Sequence, residues 1–296
     1  MDAGDLSLAA ADRRRPPFEI WRPHGDVSPL VFASPHSGRH YPADMGASAR
    51  LGAIAMRSSE DALVDQLIAG APRHGAAVIV ARFARAYVDV NREPYELDPG
   101  MFEDELPAFA RARTARVAAG LGSIARLVAE GREIYDRKLT FAEAARRIEA
   151  VHRPYHDALG ALVDQARSAH GGAILIDWHS MPGAAAGQAF GGRRQVDIVL
   201  GDRFGSTCSE DLTALVERDL TAMGYVTARN APYAGGFTTE AYGRPVESVH
   251  ALQIEISRAL YLDEARLAPN SGFERLVRDL ELVFARLADL QPSRLR

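Results

Sequence analysis

Two histidines stand where a chain can do chemistry. Ile174-Leu175-Ile176 is an apolar run that ends abruptly in Asp177-Trp178-His179-Ser180, with Pro182 and Gly183 just beyond. Leu30-Val31-Phe32-Ala33-Ser34 has the same shape and empties into Pro35-His36-Ser37-Gly38. Each reads as a buried strand running into a loop. In α/β folds the loops at the carboxyl ends of strands are where ligands and chemistry sit. A histidine there can hold a metal through one ring nitrogen, while an acid two residues earlier on the same side of the strand, as Asp177 is to His179, orients the ring. One such junction fits a structural histidine bonded to an aspartate equally well. Two strands each delivering a histidine point to a mononuclear metal site.

Four further groups have suggestive placement. Ser58-Ser59 precede Glu60-Asp61, and Ala62, Leu63, Leu67 and Ile68 follow at helical spacing. That predicts a serine-capped helix with acids in its first turn, where the dipole favours them; either both acids cap the helix or one turns inward to the metal. Ala86-Tyr87-Val88-Asp89-Val90 is β-rich and reads as a strand ending in Asn91-Arg92-Glu93-Pro94, so Arg92, at a strand end, is a candidate anion clamp whose planar fork suits a carboxylate. In Val249–Arg258, Leu252, Ile254 and Ile256 point one way and Gln253, Glu255 and Ser257 the other. A glutamate well inside an apolar strand is costly unless it is paired or functional. His152 and His156 have the i,i+4 spacing of a metal-binding pair, but no Glu lies between them and Pro154 interrupts the turn, so they read as structural.

The elements that must position these groups alternate. Ala77–Ala81 predicts a strand after the Gly75 turn, and Val196–Leu200, Tyr225–Ala228 and Val249–Arg258 predict others. Phe141, Ala145, Ile148, Val151, Tyr155, Leu159, Leu162 and Ala166 mark a long amphipathic helix. Leu212, Leu215, Val216, Leu220 and Met223 mark a helix stopped by Gly224, and Phe273 to Leu290 a closing one. Between Leu97 and Lys138 the pattern weakens at Gly120, Gly122 and Gly131, which reads as an insertion carrying loops that could lid the site. A Gly- and Ala-rich loop spans Gly183 to Gly192, and the glycines of Tyr233–Thr239 permit close approach of backbone to a ligand. Strands alternating with helices give an α/β, three-layer domain without repeats or an internal linker, expected over residues 18–296.

Composition excludes several function classes. The 296 residues are 47% hydrophobic and 25% charged, an ordinary globular balance. A net charge of -4 and a pI near 6.2 leave no basic footprint for nucleic acid. No apolar run approaches the ~18 residues of a membrane span. Met1 to Pro17 carries Asp2, Asp5 and Arg13-Arg14-Arg15 around no apolar core, so it reads as a disordered leader rather than a secretory signal. The expected address is cytoplasmic. Cys208 is the single cysteine, so a metal would have to use His and carboxylates.

Six segments, in order from about residue 30 to 262, resemble the N-formylglutamate amidohydrolase family: Ser34-Pro35-His36-Ser37-Gly38, Glu60-Asp61 with Val64-Asp65, Val88-Asp89-Val90-Asn91-Arg92, Asp177-Trp178-His179-Ser180, Tyr233 with Gly235-Gly236, and Gln253-Ile254-Glu255-Ile256. That family is similar in architecture to zinc carboxypeptidases and aspartoacylase-like deacylases. The resemblance implies a three-layer αβα fold with a mixed central sheet, zinc-carboxypeptidase-like in the phosphorylase/hydrolase-like manner. It implies one Zn2+ per chain and hydrolysis of a small-molecule N-acyl amino acid: N-formyl-L-glutamate to formate and L-glutamate, as in histidine degradation. His36 and His179 fall on the metal positions, and the carboxylate ligand falls on Asp61, with Glu60 as the alternative. Related zinc enzymes often use a tight His-x-x-Glu; here Arg39 stands at that offset and the acid arrives only at position 61. Asn91 and Arg92 resemble the substrate-carboxylate clamp and Glu255 the general base. A dicarboxylate substrate needs a second cationic partner, for which Arg258 is the candidate. The rivals are a zinc deacylase or carboxypeptidase acting on another N-acyl amino acid or peptide, and a binding protein that kept the fold. The oligomeric state stays open.

Overall fold

The structure is a computed structural model, and it describes residues 16–48, 50–128, 131–184 and 195–296. The leader expected over 1–17 and the loop expected over 183–192 therefore lie almost wholly outside the described residues.

Among the described residues seven strands form a mixed central sheet: β1 (Phe18–Trp21), β2 (Leu30–Ser34), β3 (Ala77–Ala81), β4 (Ala173–Met181), β5 (Ile198–Gly201), β6 (Thr227–Arg229) and β7 (Val249–Ser257). Their order is β1-β3-β2-β4-β7-β5-β6. β2 runs parallel to β3 and to β4, and β4 parallel to β7, while β5 is antiparallel to β7 and parallel to β6. The central strands β2, β4 and β7 are buried along their whole length, as expected of parallel strands covered on both faces.

The two faces of this sheet differ in chemistry. Phe32, Ile174, Ile176, Trp178, Leu252, Ile254 and Ile256 join the main core on one face. Against them pack Leu212, Val216 and Leu220 of α5 (Glu210–Ala222) and Leu276, Leu280, Val283, Phe284 and Leu287 of α6 (Phe273–Ala288). Phe32, Trp178 and Phe284 meet edge-on, with ring centroids 5.0–5.6 Å apart, a favoured aromatic geometry. Since strand side chains alternate, Asp177, His179, Gln253 and Glu255 must point to the other face.

Among the described residues the chain forms two compact units that interleave along the sequence. One runs up to Glu19 and takes in Pro35–Glu60 and Ala81–Ala158; the other holds Ile20–Ser34, Asp61–Val80 and Leu159–Arg296. The first is built around a continuous helical run: α3 (Phe141–Arg147), a π turn (Ile148–His152) and the start of α4 (Arg153–His170). Thr140 and Glu143 cap it reciprocally. The π turn precedes Pro154, whose ring and missing N–H an ordinary α-turn would not accommodate.

Two expectations are corrected. The predicted acid-led helix is instead two short helices, α1 (Ala53–Arg57) and α2 (Val64–Leu67), with Glu60 and Asp61 between them. The Ser58 hydroxyl bonds back to the Ala55 carbonyl at 2.6 Å, closing α1 instead of capping a new helix, and Leu63 takes a left-handed φ of 65° before α2 begins. The stretch 86–90 is no strand. Tyr87 and Val88 donate back to Ala84 in turns, and the Asp89 N–H donates to Ser123 O across the loops of the 97–138 insertion. No described helix is long and apolar enough to cross a membrane.

Candidate functional site

His179 sits on β4 between two carboxylates. Its Nε2 is 2.9 Å from Asp177 Oδ2 and its Nδ1 3.0 Å from Asp61 Oδ2. Strand alternation explains the first contact, because residues 177 and 179 share a face. Ser180 Oγ donates to Asp61 Oδ1 at 3.1 Å, and Arg258 Nε donates to Ser180 Oγ at 3.1 Å, with its NH2 3.5 Å from Asp61. Burial alone pushes the imidazole pKa down, but Asp177, Asp61 and Glu255 outweigh it and hold it well above the ordinary value. Glu255 lies directly opposite His179 in the β4–β7 register and accepts a 2.8 Å hydrogen bond from Gln253 Nε2.

His36 follows β2 by two residues and is buried. Its Nε2 lies 2.7 Å from Asp89 Oδ1. Asp89 also accepts from Arg85 NH2 at 2.7 Å and from the Asn91 N–H at 2.9 Å. Desolvation would raise the Asp89 pKa; Arg85, His36 and Arg92 together hold it well below the usual carboxylate range. Asp89 is therefore the charged partner that fixes the His36 ring. Gly38 is required here: a Cβ would fall 2.0 Å from Phe83 O, where the chain passes on its way to Asp89.

His36, Asp61 and His179 form a buried group that could bind a metal ion, their potential ligand atoms all within 4.8 Å of one another. The donor set suits zinc, which takes imidazole nitrogens and carboxylate oxygens. In each histidine Nε2 faces an aspartate, Asp89 or Asp177, and in His179 this leaves Nδ1 toward Asp61. Glu60 is engaged differently. Arg57 clamps it through Nε and NH2 at 2.9–3.1 Å, and the Tyr41 hydroxyl donates to it at 2.8 Å.

Asn91 and Arg92 follow Asp89 in a loop. Arg92 Nε donates to Leu121 O at 3.0 Å and NH1 to Asn91 O at 2.8 Å, and burial pushes the guanidinium pKa down. His152 and His156 do not join the metal group. The Nε2–H of His156 donates to Val90 O at 2.7 Å and that of His152 to Arg92 O at 2.8 Å. Sequence reasoning placed Asp89 within a motif without a role, because its partner lies 53 residues away. The signal was an acid between two valines, a position that burial makes costly unless it is paired.

The N-formylglutamate amidohydrolase family model matches residues 28–262. The crystal structure of N-formylglutamate amidohydrolase from Ralstonia eutropha JMP134 is 41% identical in sequence and superposes with a TM-score of 0.88, covering 94% of this chain and 99% of that one. N-formylglutamate deformylase of Pseudomonas putida is 28% identical over 270 residues, 89% of this chain and 92% of its own. The deformylase of the same description from Pseudomonas aeruginosa is 28% identical over 239 residues, covering 80% of this chain and 83% of its own.

Proposed function

The chain belongs to the N-formylglutamate amidohydrolase family, hydrolases acting on an amide bond, and on that premise we propose that it cleaves N-formyl-L-glutamate to formate and L-glutamate with one zinc ion. The observation that carries this reading is the buried His36–Asp61–His179 group, in a chain aligned over nearly its whole length with a solved N-formylglutamate amidohydrolase. The proposal extends to a three-layer, zinc-carboxypeptidase-like architecture, and to the cytoplasmic step that releases formate in histidine degradation.

His36 and His179 would hold the metal through ring nitrogens and Asp61 through a carboxylate oxygen. Asp61 is preferred to Glu60 because it is Asp61 that groups with both histidines, ligand atoms within 4.8 Å of one another, whereas Arg57 and Tyr41 hold Glu60. When bound there, zinc would supply Lewis-acid chemistry, lowering the pKa of the reacting water toward about 7. Glu255, opposite His179 in register, takes the proton of the attacking water and returns it to the leaving glutamate nitrogen, as general base and then acid. Gln253 holds one oxygen of that carboxylate. Arg92 with Asn91 binds the substrate's α-carboxylate, and Arg258, buried beside Asp61, lends its charge to the second one.

The test is formate release across N-formyl and N-acetyl amino acids, in zinc-loaded and chelated protein. N-formyl-L-glutamate should lead the panel and chelation should abolish turnover. Preference for an N-acetyl substrate would move the assignment to a deacylase. Full turnover in metal-free protein would remove zinc, and binding without turnover would leave a binding protein.

A further inference from the structure

We propose that His152 and His156 are positioning residues that anchor the Val90–Arg92 backbone, and so aim Arg92 at the substrate. The proposal rests on the reading of Arg92 as the group that binds the substrate's carboxylate. Their i,i+4 spacing invites a metal role, but their Nε2 atoms are spent on the Arg92 and Val90 carbonyls, at 2.8 and 2.7 Å. The two rings lie 4.5 Å apart, tilted by 33°. Burial pushes both pKa values down, which keeps the rings neutral. A neutral ring with its proton on Nε2 is the form that can donate to a carbonyl.

The same helical run holds a third carbonyl of this segment. Arg147 NH1 donates to Tyr87 O at 3.4 Å and to the Tyr135 hydroxyl at 2.7 Å, while its guanidinium lies 4.6 Å over the Tyr87 ring. Residues 147 and 152 are five apart, so in a regular α-helix they would face different ways. A π turn, with its i→i+5 bonds, brings positions five apart onto one face, and the π turn here is Ile148–His152. The irregularity thus lets Arg147, His152 and His156 reach carbonyls 87, 92 and 90 from one side.

The segment needs these donors. It is not a strand, so no ladder bonds its carbonyls, and a buried carbonyl without a donor is costly. It also carries two functional groups: Asp89 faces His36, and Arg92 is tied through Nε to Leu121 O. With its side chain fixed on that side, Arg92 takes its aim from where the main chain lies. A displacement of about 1 Å far from the chemistry can cost about 10²-fold.

The test uses the full-length, zinc-loaded protein and its variants H152F, H156F, H156M, H156Q and R92K. Phenylalanine keeps ring volume and removes the donor; methionine does the same with a side chain that adapts, should a phenylalanine variant not fold; glutamine keeps an N–H. KM and kcat for N-formyl-L-glutamate, zinc content and deuterium exchange over residues 84–97 are read on each. The donor-less variants should raise KM roughly tenfold with little change in kcat, hold zinc as the wild type does, and exchange faster over 84–97; H156Q should recover most of the KM. Unchanged exchange, or loss of zinc, overturns the proposal. So does an unchanged KM in the donor-less variants when R92K raises it. If exchange quickens but KM is unchanged in R92K as well, the Arg92 reading fails while the anchoring stands.

Discussion

Glu255 and His179 occupy opposite positions in one ladder, so the chemistry proposed for each is separable by single substitutions. Glu255→Gln keeps size and hydrogen-bonding reach but cannot accept a proton. It should leave zinc bound and KM little changed while kcat falls by roughly 10²–10⁴-fold, the usual share of general acid–base catalysis. Metal content, melting temperature and kcat measured on one preparation decide the matter. Normal zinc with near-wild-type kcat would return Glu255 to a structural role beside Gln253. Arg92→Lys keeps the charge and loses the planar fork, so its damage should fall on KM. A substrate esterified at the α-carboxylate should show the same loss with the wild-type enzyme, and equal turnover of ester and acid would contradict the clamp.

At the scale of elements, what was legible followed burial periodicity. The end of β2 was readable because its apolar run stops at Ser34, with His36 just beyond. The run in β4 misled: the strand continues through Asp177 and His179 to Met181, so His179 projects from the strand itself rather than from the loop expected after Ile176. Two-residue alternation in β7 foretold that Glu255 leaves the apolar row. Pairings across long sequence separation left no such trace: Asp89 with His36, or the helix with the carbonyls of 87–92. Ser58 misled because a serine can close one helix as readily as cap the next. The helical run also predicts a pH effect. Burial, helped by His152, pushes the His156 pKa from 6.5 down to about 3. Below pH 6.5 the unfolded chain takes a proton that the folded histidine refuses, so this contribution is whole above 6.5 and lost progressively as pH falls toward 3. H156Q keeps a donor and does not titrate, so its urea midpoint should drop less than the wild type's between pH 7 and pH 4.5. Parallel decline in both proteins would show that His156 is not protonated on unfolding.

At the scale of the whole molecule, β4 and β7 pack the core with one face and present the proposed site residues His179 and Glu255 on the other. Phe284→Ala removes a ring from the face built on Phe32 and Trp178 and should cost about 3–5 kcal/mol. The kcat/KM of each folded, zinc-loaded molecule should stay near normal. The metal group links the two properties, because its three residues come from positions 36, 61 and 179, and an unfolded chain does not hold three such distant positions together. Zinc bound only by the folded state stabilises it by RT ln(1 + [L]/Kd), about 4 kcal/mol at a thousandfold excess over Kd. Stripping zinc should therefore lower the wild-type melting temperature, and returning it should restore the loss. His36→Ala removes one ligand and leaves Asp89 paired with Arg85, so this variant should fold yet gain little from added zinc. The decisive comparison is the zinc-dependent rise in melting temperature, wild type against His36→Ala, at equal free zinc. Equal rises would place the stabilising ion elsewhere and take His36 out of the metal centre.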